Sequence, residues 1–305
     1  MAILFAVRNI ILDYRILPMQ ERNNMDIREQ LRLLAKNCIA LEIAGDAAYE
    51  PGATRFGGQP DVPSDFVWPV YEGRGYDNVV KKRPLAFLAQ FNCRELSEYD
   101  KEHLLPDHGV LAFFYENVSQ RWGFDPQDKG CARVYWFEDS SSLSLASFPD
   151  DLAKECRFPM LRIAMSSKAS YPSWDDFAEL KPEAETVDDD SYEEAESDLQ
   201  GEEPLAGSQL LGWPDIIQNS MFEDCELISQ GYFLGQGTGE IPKKILQSSH
   251  SSAYKRWMLL FQLDTVENGD FELMFGDCGH IYFYITKEDL AARHFERIWL
   301  MLQCF

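Results

Sequence analysis

Two apolar runs, each interrupted by a single glutamine, dominate the hydrophobic pattern of this chain. They are Pro84-Leu85-Ala86-Phe87-Leu88-Ala89-Gln90-Phe91 and Trp257-Met258-Leu259-Leu260-Phe261-Gln262-Leu263. Strand alternation places Leu85, Phe87, Ala89 and Phe91 on one face and Ala86, Leu88 and Gln90 on the other. In the second run Gln262 shares its face with Met258 and Leu260, and Asp264 extends that face. Each glutamine leads to a glycine and an aromatic strand, Gly109 to Tyr115 in the first case and Gly279 to Ile285 in the second. Each run is preceded by a glycine-proline-aspartate motif, Gly57-Gly58-Gln59-Pro60-Asp61 and Gly212-Trp213-Pro214-Asp215. The repetition predicts two similar halves facing each other, with any site between them.

The remaining pattern fills in around these runs. Asp26 with Glu29 resembles a capping box, and Ile27, Leu31, Leu34, Cys38 and Leu41 fall at helical spacing, so a helix is expected that ends near Gly45. Prolines and glycines from Tyr49 to Pro84 restrict that segment to turns between short strands. A helix is expected over Arg94 to Leu105, with strands over Ala132 to Phe137 and Met160 to Met165. In the second copy, strands are expected over Phe271 to Phe275 and His280 to Ile285. A closing helix should open at Thr286, with Ala291, Phe295, Ile298, Trp299 and Leu302 on its apolar face. Helices and strands mix without βαβ alternation, so the fold class is α+β, with mixed or antiparallel sheets from two internally duplicated halves and flanking helices. The expected organisation is an extension over 1–24, with Met25 just before the first helix, and a single domain over 25–305. Within it, copy one covers about 50–165, an acidic loop 183–204 and copy two about 205–305.

Charge narrows the function classes. The formal net charge is -23, and from Glu183 to Glu203 there are eleven acidic residues and no basic one. That stretch reads as a solvated loop. Such a chain repels phosphate backbones, which argues against nucleic acid and makes a cationic protein the better-matched partner. Seven scattered cysteines with no Cys-x-x-Cys pair form neither a disulfide framework nor a zinc knuckle, and point to a cytoplasmic location. The apolar start is cut by Arg8 and Asp13, too short for a membrane span.

Few residues offer chemistry. A glutamine in an apolar strand is costly unless its amide is paired. Gln90 and Gln262 therefore either pin a loop backbone in their own halves, the favoured reading, or meet a ligand between the halves. Gly276-Asp277-Cys278-Gly279-His280 brings Asp277 and His280 close in sequence, but a Cys-x-His pair supplies too few ligands for zinc and fits a tight turn better. No P-loop, dinucleotide motif or nucleophile elbow is present, so no cofactor, metal or catalytic residue is assigned. Trp68, Trp122, Trp174 and Trp213 are candidates for a groove, although large aromatics are more often core.

These residues resemble the YwqG-like proteins, a family grouped under a domain of unknown function. The resemblance runs through Arg55-Phe56-Gly57-Gly58-Gln59-Pro60, Trp68-Pro69, Pro84 to Phe91, Gly109 to Tyr115, Leu211 to Asp215 and Gly276 to Gly279. It implies a duplicated α+β fold and no established reaction; an immunity role against secreted toxins has been proposed for members from genomic context. The first expectation is thus a non-enzymatic protein binder, immunity-like. The alternative is a small-molecule binder or sensor with a cleft of Arg55, Gln90, Trp213, Gln262, Asp264, Asp277 and His280, and a hydrolase built on Asp277 and His280 stands third.

Overall fold

A computed structural model describes residues 26–76, 78–180, 188–201 and 207–305. The extension assigned to 1–24 lies outside the described residues. The main sheet has ten strands: β1 (Lys36–Asp46), β2 (Arg55–Phe56), β3 (Ala86–Asn92), β4 (Val110–Tyr115), β5 (Ala132–Phe137), β6 (Leu161–Ser170), β7 (Ser208–Leu211), β8 (Trp257–Leu263), β9 (His280–Thr286) and β10 (Trp299–Gln303). Their order is β10-β9-β8-β7-β1-β6-β2-β3-β4-β5, and every pair is antiparallel. From the centre outward each half runs in chain order, β7 to β10 on one side and β2 to β5 on the other. The long strand that precedes each run crosses over, so β1 lies beside β7 and β6 lies beside β2. A first copy ending near residue 165 would stop inside β6.

The two halves correspond in detail. β3 and β8 each carry a bulge two residues before the glutamine, at Leu88 and Leu260, where the register to the next strand slips. An extra residue bends a strand and reverses its alternation. For this reason Phe87 pairs with Phe114 on one face while Phe91 lies on the other with Phe113, correcting the uniform alternation expected above.

The sheet stays open at its edges but curls so that its two halves face each other. From β3 to β8 is five strand spacings, about 24 Å across a flat sheet, yet the Phe91 and Phe261 rings have centroids 5.5 Å apart. Phe113 lies 4.7 Å from Phe261 and 5.3 Å from Phe283. The faces turned toward each other are therefore filled by phenylalanine. Because neighbouring residues alternate, Gln90 and Gln262 point to the opposite faces, away from one another. The expected cleft between the halves is occupied by core, which corrects the placement of a shared site there.

Helices α1 (Ile27–Leu34), α2 (Cys93–Leu96), α3 (Trp174–Leu180), α4 (Asp189–Gln200), α5 (Phe222–Ser229), α6 (Lys243–Arg256) and α7 (Lys287–Ala291) surround the sheet. With the antiparallel sheet they make the class α+β. Three expected helices are shorter than read. The first ends at Leu34, because Cys38, Ile39, Ala40 and Leu41 are all buried in the central strand β1, and such a run also satisfies helical spacing. Its Asp26 makes no side-chain cap. The helix expected over Arg94 to Leu105 is the single turn α2. The closing helix is capped by Thr286 as expected, but stops at Ala291, and Trp299 and Leu302 belong to the edge strand β10.

The acidic segment carries the largest correction. It is not all loop: α4 forms within it. Asp188 caps the helix through Ser191 N–H at 2.7 Å, and Asp189 and Asp190 lie in the first turn, where the helix dipole favours negative charge. Tyr192, Ala195 and Leu199, spaced three and four apart, face Leu31 of α1 and Phe177 of α3. Arg28 of α1 holds Asp198 at 2.5 Å and Glu194 at 3.4 Å.

Glycine is required at two of the motif positions. Gly57 has φ +60°, and a Cβ there would stand 2.1 Å from the Pro159 carbonyl. Gly212 has φ +78°, with Ser170 Oγ only 2.4 Å from a Cβ. Both conformations are strained for any other residue.

Candidate functional site

Each glutamine holds the Pro-Asp motif of its own half. In the first half Arg55 on β2 pairs in register with Gln90 on β3. Gln90 Oε1 accepts from Asp61 N–H at 3.0 Å, while its Nε2 donates to Ala53 O at 3.0 Å and Asp61 Oδ2 at 2.9 Å. Arg55 Nη1 meets the same Oδ2 at 2.9 Å, and Nη2 donates to Gln59 O at 2.7 Å. Gly52 N–H and the Tyr49 hydroxyl complete the shell around Asp61. Arg55, Asp61 and Gln90 are all buried. Burial alone raises the Asp61 carboxyl, but the Gly52 N–H, Gln90 and Arg55 outweigh it and hold it below the usual range. This half is a closed latch in which the buried Arg55 and Gln90 both bond the Asp61 carboxylate.

The second half repeats the frame with different chemistry. Gln209 takes the register position of Arg55, opposite Gln262. Gln262 Oε1 accepts from Asp215 N–H at 2.9 Å, and its Nε2 donates to Gly207 O at 2.5 Å. The favoured reading of the glutamines as backbone latches agrees with this geometry in both halves. Without an arginine, however, the Asp215 side chain stays exposed. Beside it, His280 Nε2 lies 2.9 Å from Asp264 Oδ1, and its Nδ1 lies 3.3 Å from Asp215 O. Tyr282 Oη donates to that carbonyl at 2.7 Å. Helix α4 brings Glu196 to the same region, where burial, with Asp215 adding its charge, pushes the carboxyl up to about 7.

Of the seven residues singled out, Gln262, Asp264 and His280 come together, and Arg55 and Gln90 form the other latch. Trp213 is structural: it is buried, its indole N–H donates to Leu34 O at 2.7 Å, and Lys36 Nζ lies 3.2 Å from its ring. Asp277 is separate from His280. It is exposed in a turn with Gly276 at φ +59° and Cys278 at φ +49°, and its carbonyl accepts from Phe305 N–H. The turn was expected; a capping role for the Asp277 side chain has no hydrogen bond to support it among the described residues. Sequence reasoning left out Asp61, Asp215 and Tyr282. The signal for the first two was the Pro-Asp dipeptide common to both copies.

Chemically, the partners of this second latch favour an imidazolium. A doubly protonated His280 donates to Asp264 on one side and to the Asp215 carbonyl on the other. Burial lowers the His280 pKa, but the hydrogen bond and charge of Asp264 outweigh it and keep it above the ordinary value. Asp264 is held low in return, against its own burial, by the same pair. His280 therefore adds stability below the unfolded pKa of ~6.5, and this is lost as pH rises through its folded pKa. Asp264 adds stability above an unfolded pKa of ~3.9, lost as pH falls through its lowered folded value. The denaturant midpoint should fall as pH is raised from 6 to 9, and His280→Gln should flatten that fall. An unchanged slope in the variant would remove the imidazolium from the account.

Among the described residues no group of three or more His, Cys, Asp or Glu is arranged to hold a metal, and no helix is long and apolar enough to cross a membrane. Comparison with curated proteins found no match. A family model described as a domain of unknown function (DUF1963) matches residues 54–304, from just before the first latch to the penultimate residue, and the chain belongs to that family.

Proposed function

We propose that this chain is a non-enzymatic binding protein that takes a cationic protein partner on its acidic face. The observation that carries the proposal is α4. Asp188, Asp189, Asp190, Glu193, Glu194 and Asp198 are exposed on it, and among the described residues Arg28 meets the last two. Asp188 caps the helix, Asp189 and Asp190 suit its first turn, and Glu194 and Asp198 meet Arg28, but like charges spaced four apart, as at 189/193 and 190/194, cost a helix about 0.2–0.5 kcal/mol each. A basic partner would relieve the repulsion, and complementary charge accelerates encounter. The YwqG-like resemblance gives a narrower form of the same idea, an immunity-like protein whose partner is a basic toxin.

Salt dependence tests this reading. Affinity for a captured basic partner should fall at least tenfold between 50 and 300 mM salt, because exposed charges are screened beyond roughly 10 Å at 0.1 M. Affinity that is flat with salt would contradict it. The alternative, a small-molecule site between the halves, loses its basis: both glutamine amides are spent locally and the facing surfaces are packed with Phe91, Phe113, Phe261 and Phe283.

A further inference from the structure

Helix α4 carries a carboxylate on its packed side. Tyr192, Ala195 and Leu199 form the stripe that meets Leu31 of α1 and Phe177 of α3. Glu196, four residues after Tyr192 and three before Leu199, falls on that stripe. It is half-buried, and its Oε1 accepts from Gln200 Nε2 at 2.9 Å. The charges that reach it are negative, Asp215 from the loop after β7 and Glu193 from α4 itself. From α3, Asp176 acts together with Glu196 on the Tyr192 hydroxyl. From α1, Arg28 is engaged by Glu194 and Asp198 instead. Next to Asp215, His280 attracts its carboxylate and Asp264 repels it. Among the described residues no cation meets Glu196.

The seat of this helix is small. Leu31, Phe177, Tyr192 and Ala195 form a cluster of their own, apart from the larger cores that hold the sheet. Arg28 and the Tyr192 hydroxyl, which donates to Pro172 O, add polar contacts. An element resting on so few buried apolar contacts opens locally at less cost than the central strands. Ionising Glu196 adds a negative charge beside Asp215 in this partly dry seat. Burial first, then Asp215 and Glu193, push its carboxyl up to about 7.

We propose that α4 is a pH-operated element, seated on α1 and α3 when Glu196 carries its proton and loosened when Glu196 and Asp215 stand as two carboxylates. Seated, Glu196 titrates near 7; released, it returns to the ordinary value of ~4.3. Seating is therefore strongest below about pH 4.3, weakens as pH rises toward 7 and levels off above it. The device is a property of the free chain and goes beyond the partner reading, which can fail without it. Where both hold, acidification steadies the helix that carries the acidic face.

Native-state hydrogen exchange of the full chain at pH 5.5 and 7.5, with each rate divided by its intrinsic rate at that pH, reads the opening of α4 directly. In the wild type the amides from Tyr192 to Gln200 should lose roughly tenfold of their protection at the higher pH. That is less than the full shift implies, because Glu196 is only half-buried. Glu196→Gln should cut the loss to under twofold, and Asp215→Asn should reduce it in part. Asp189→Asn, off the packed stripe, should leave it near tenfold. The loss should also persist in His280→Gln, which separates it from the global fall in stability attributed to the imidazolium. Equal protection at the two pH values in the wild type, or an undiminished loss in Glu196→Gln, overturns the device. So does a loss that vanishes in His280→Gln, or an α4 without protection at pH 5.5.

Discussion

Arg55→Met should lower the unfolding free energy by about 3–5 kcal/mol, because it strands the Asp61 carboxylate in a buried shell. Arg55 and Asp61 are both buried and bonded at 2.9 Å, and the methionine restores volume but no charge. Urea denaturation at pH 7 measures the effect. The deficit should narrow as pH falls below about 5, because an orphaned Asp61 takes up a proton more readily folded than unfolded. The double variant Arg55→Met/Asp61→Leu should recover much of the loss, since removing both charges also removes the desolvation cost. A loss under 1 kcal/mol in the single variant would mean that water reaches Asp61.

The second large effect lies between the halves. Phe261→Ala should cost about 3–5 kcal/mol through lost burial and the cavity left behind. Phe261 is fully buried and touches rings from both sides, Phe91 at 5.5 Å, Phe113 at 4.7 Å and Phe283 at 5.6 Å. Phe305→Ala, at an 82% exposed position, serves as the control and should stay within about 0.5 kcal/mol. Hydrogen exchange should show β3, β4, β8 and β9 losing protection together in the core variant. Loss confined to β8 and β9 would mean that the two halves unfold independently.

Much of this architecture was written in the hydrophobic pattern. The strands around Gln90 and Gln262 and the aromatic strands after them were legible, because fully buried runs flanked by turn residues leave little choice. The bulges at Leu88 and Leu260 were not, since an extra residue leaves no mark in an unbroken apolar run. β1 was misread because Ile27 through Leu41 satisfies helical spacing, and only a sheet partner on each side makes Cys38 to Leu41 a strand. In α4, charge masked the Tyr192, Ala195 and Leu199 stripe.

The site was legible in part. A glutamine in an apolar strand announces a buried hydrogen-bonding partner, and both latches follow from that. What the sequence could not show is the sheet's curvature, which turns the two amides away from each other. Nor could it show the different chemistry of equivalent positions. Arg55 neutralises Asp61, whereas Gln209 leaves Asp215 facing solvent.

The most direct test of the acidic-face account is affinity capture by the wild-type chain and by Asp189→Asn/Asp190→Asn/Glu193→Gln, with circular dichroism on both. These three substitutions leave the Asp188 cap and the Arg28 contacts intact, so the variant should keep its helix content, with at most about 1 kcal/mol per first-turn charge lost from the helix N-terminus. The account predicts a basic partner that the wild type captures and the variant loses. Capture of the same partner equally by both proteins would contradict it.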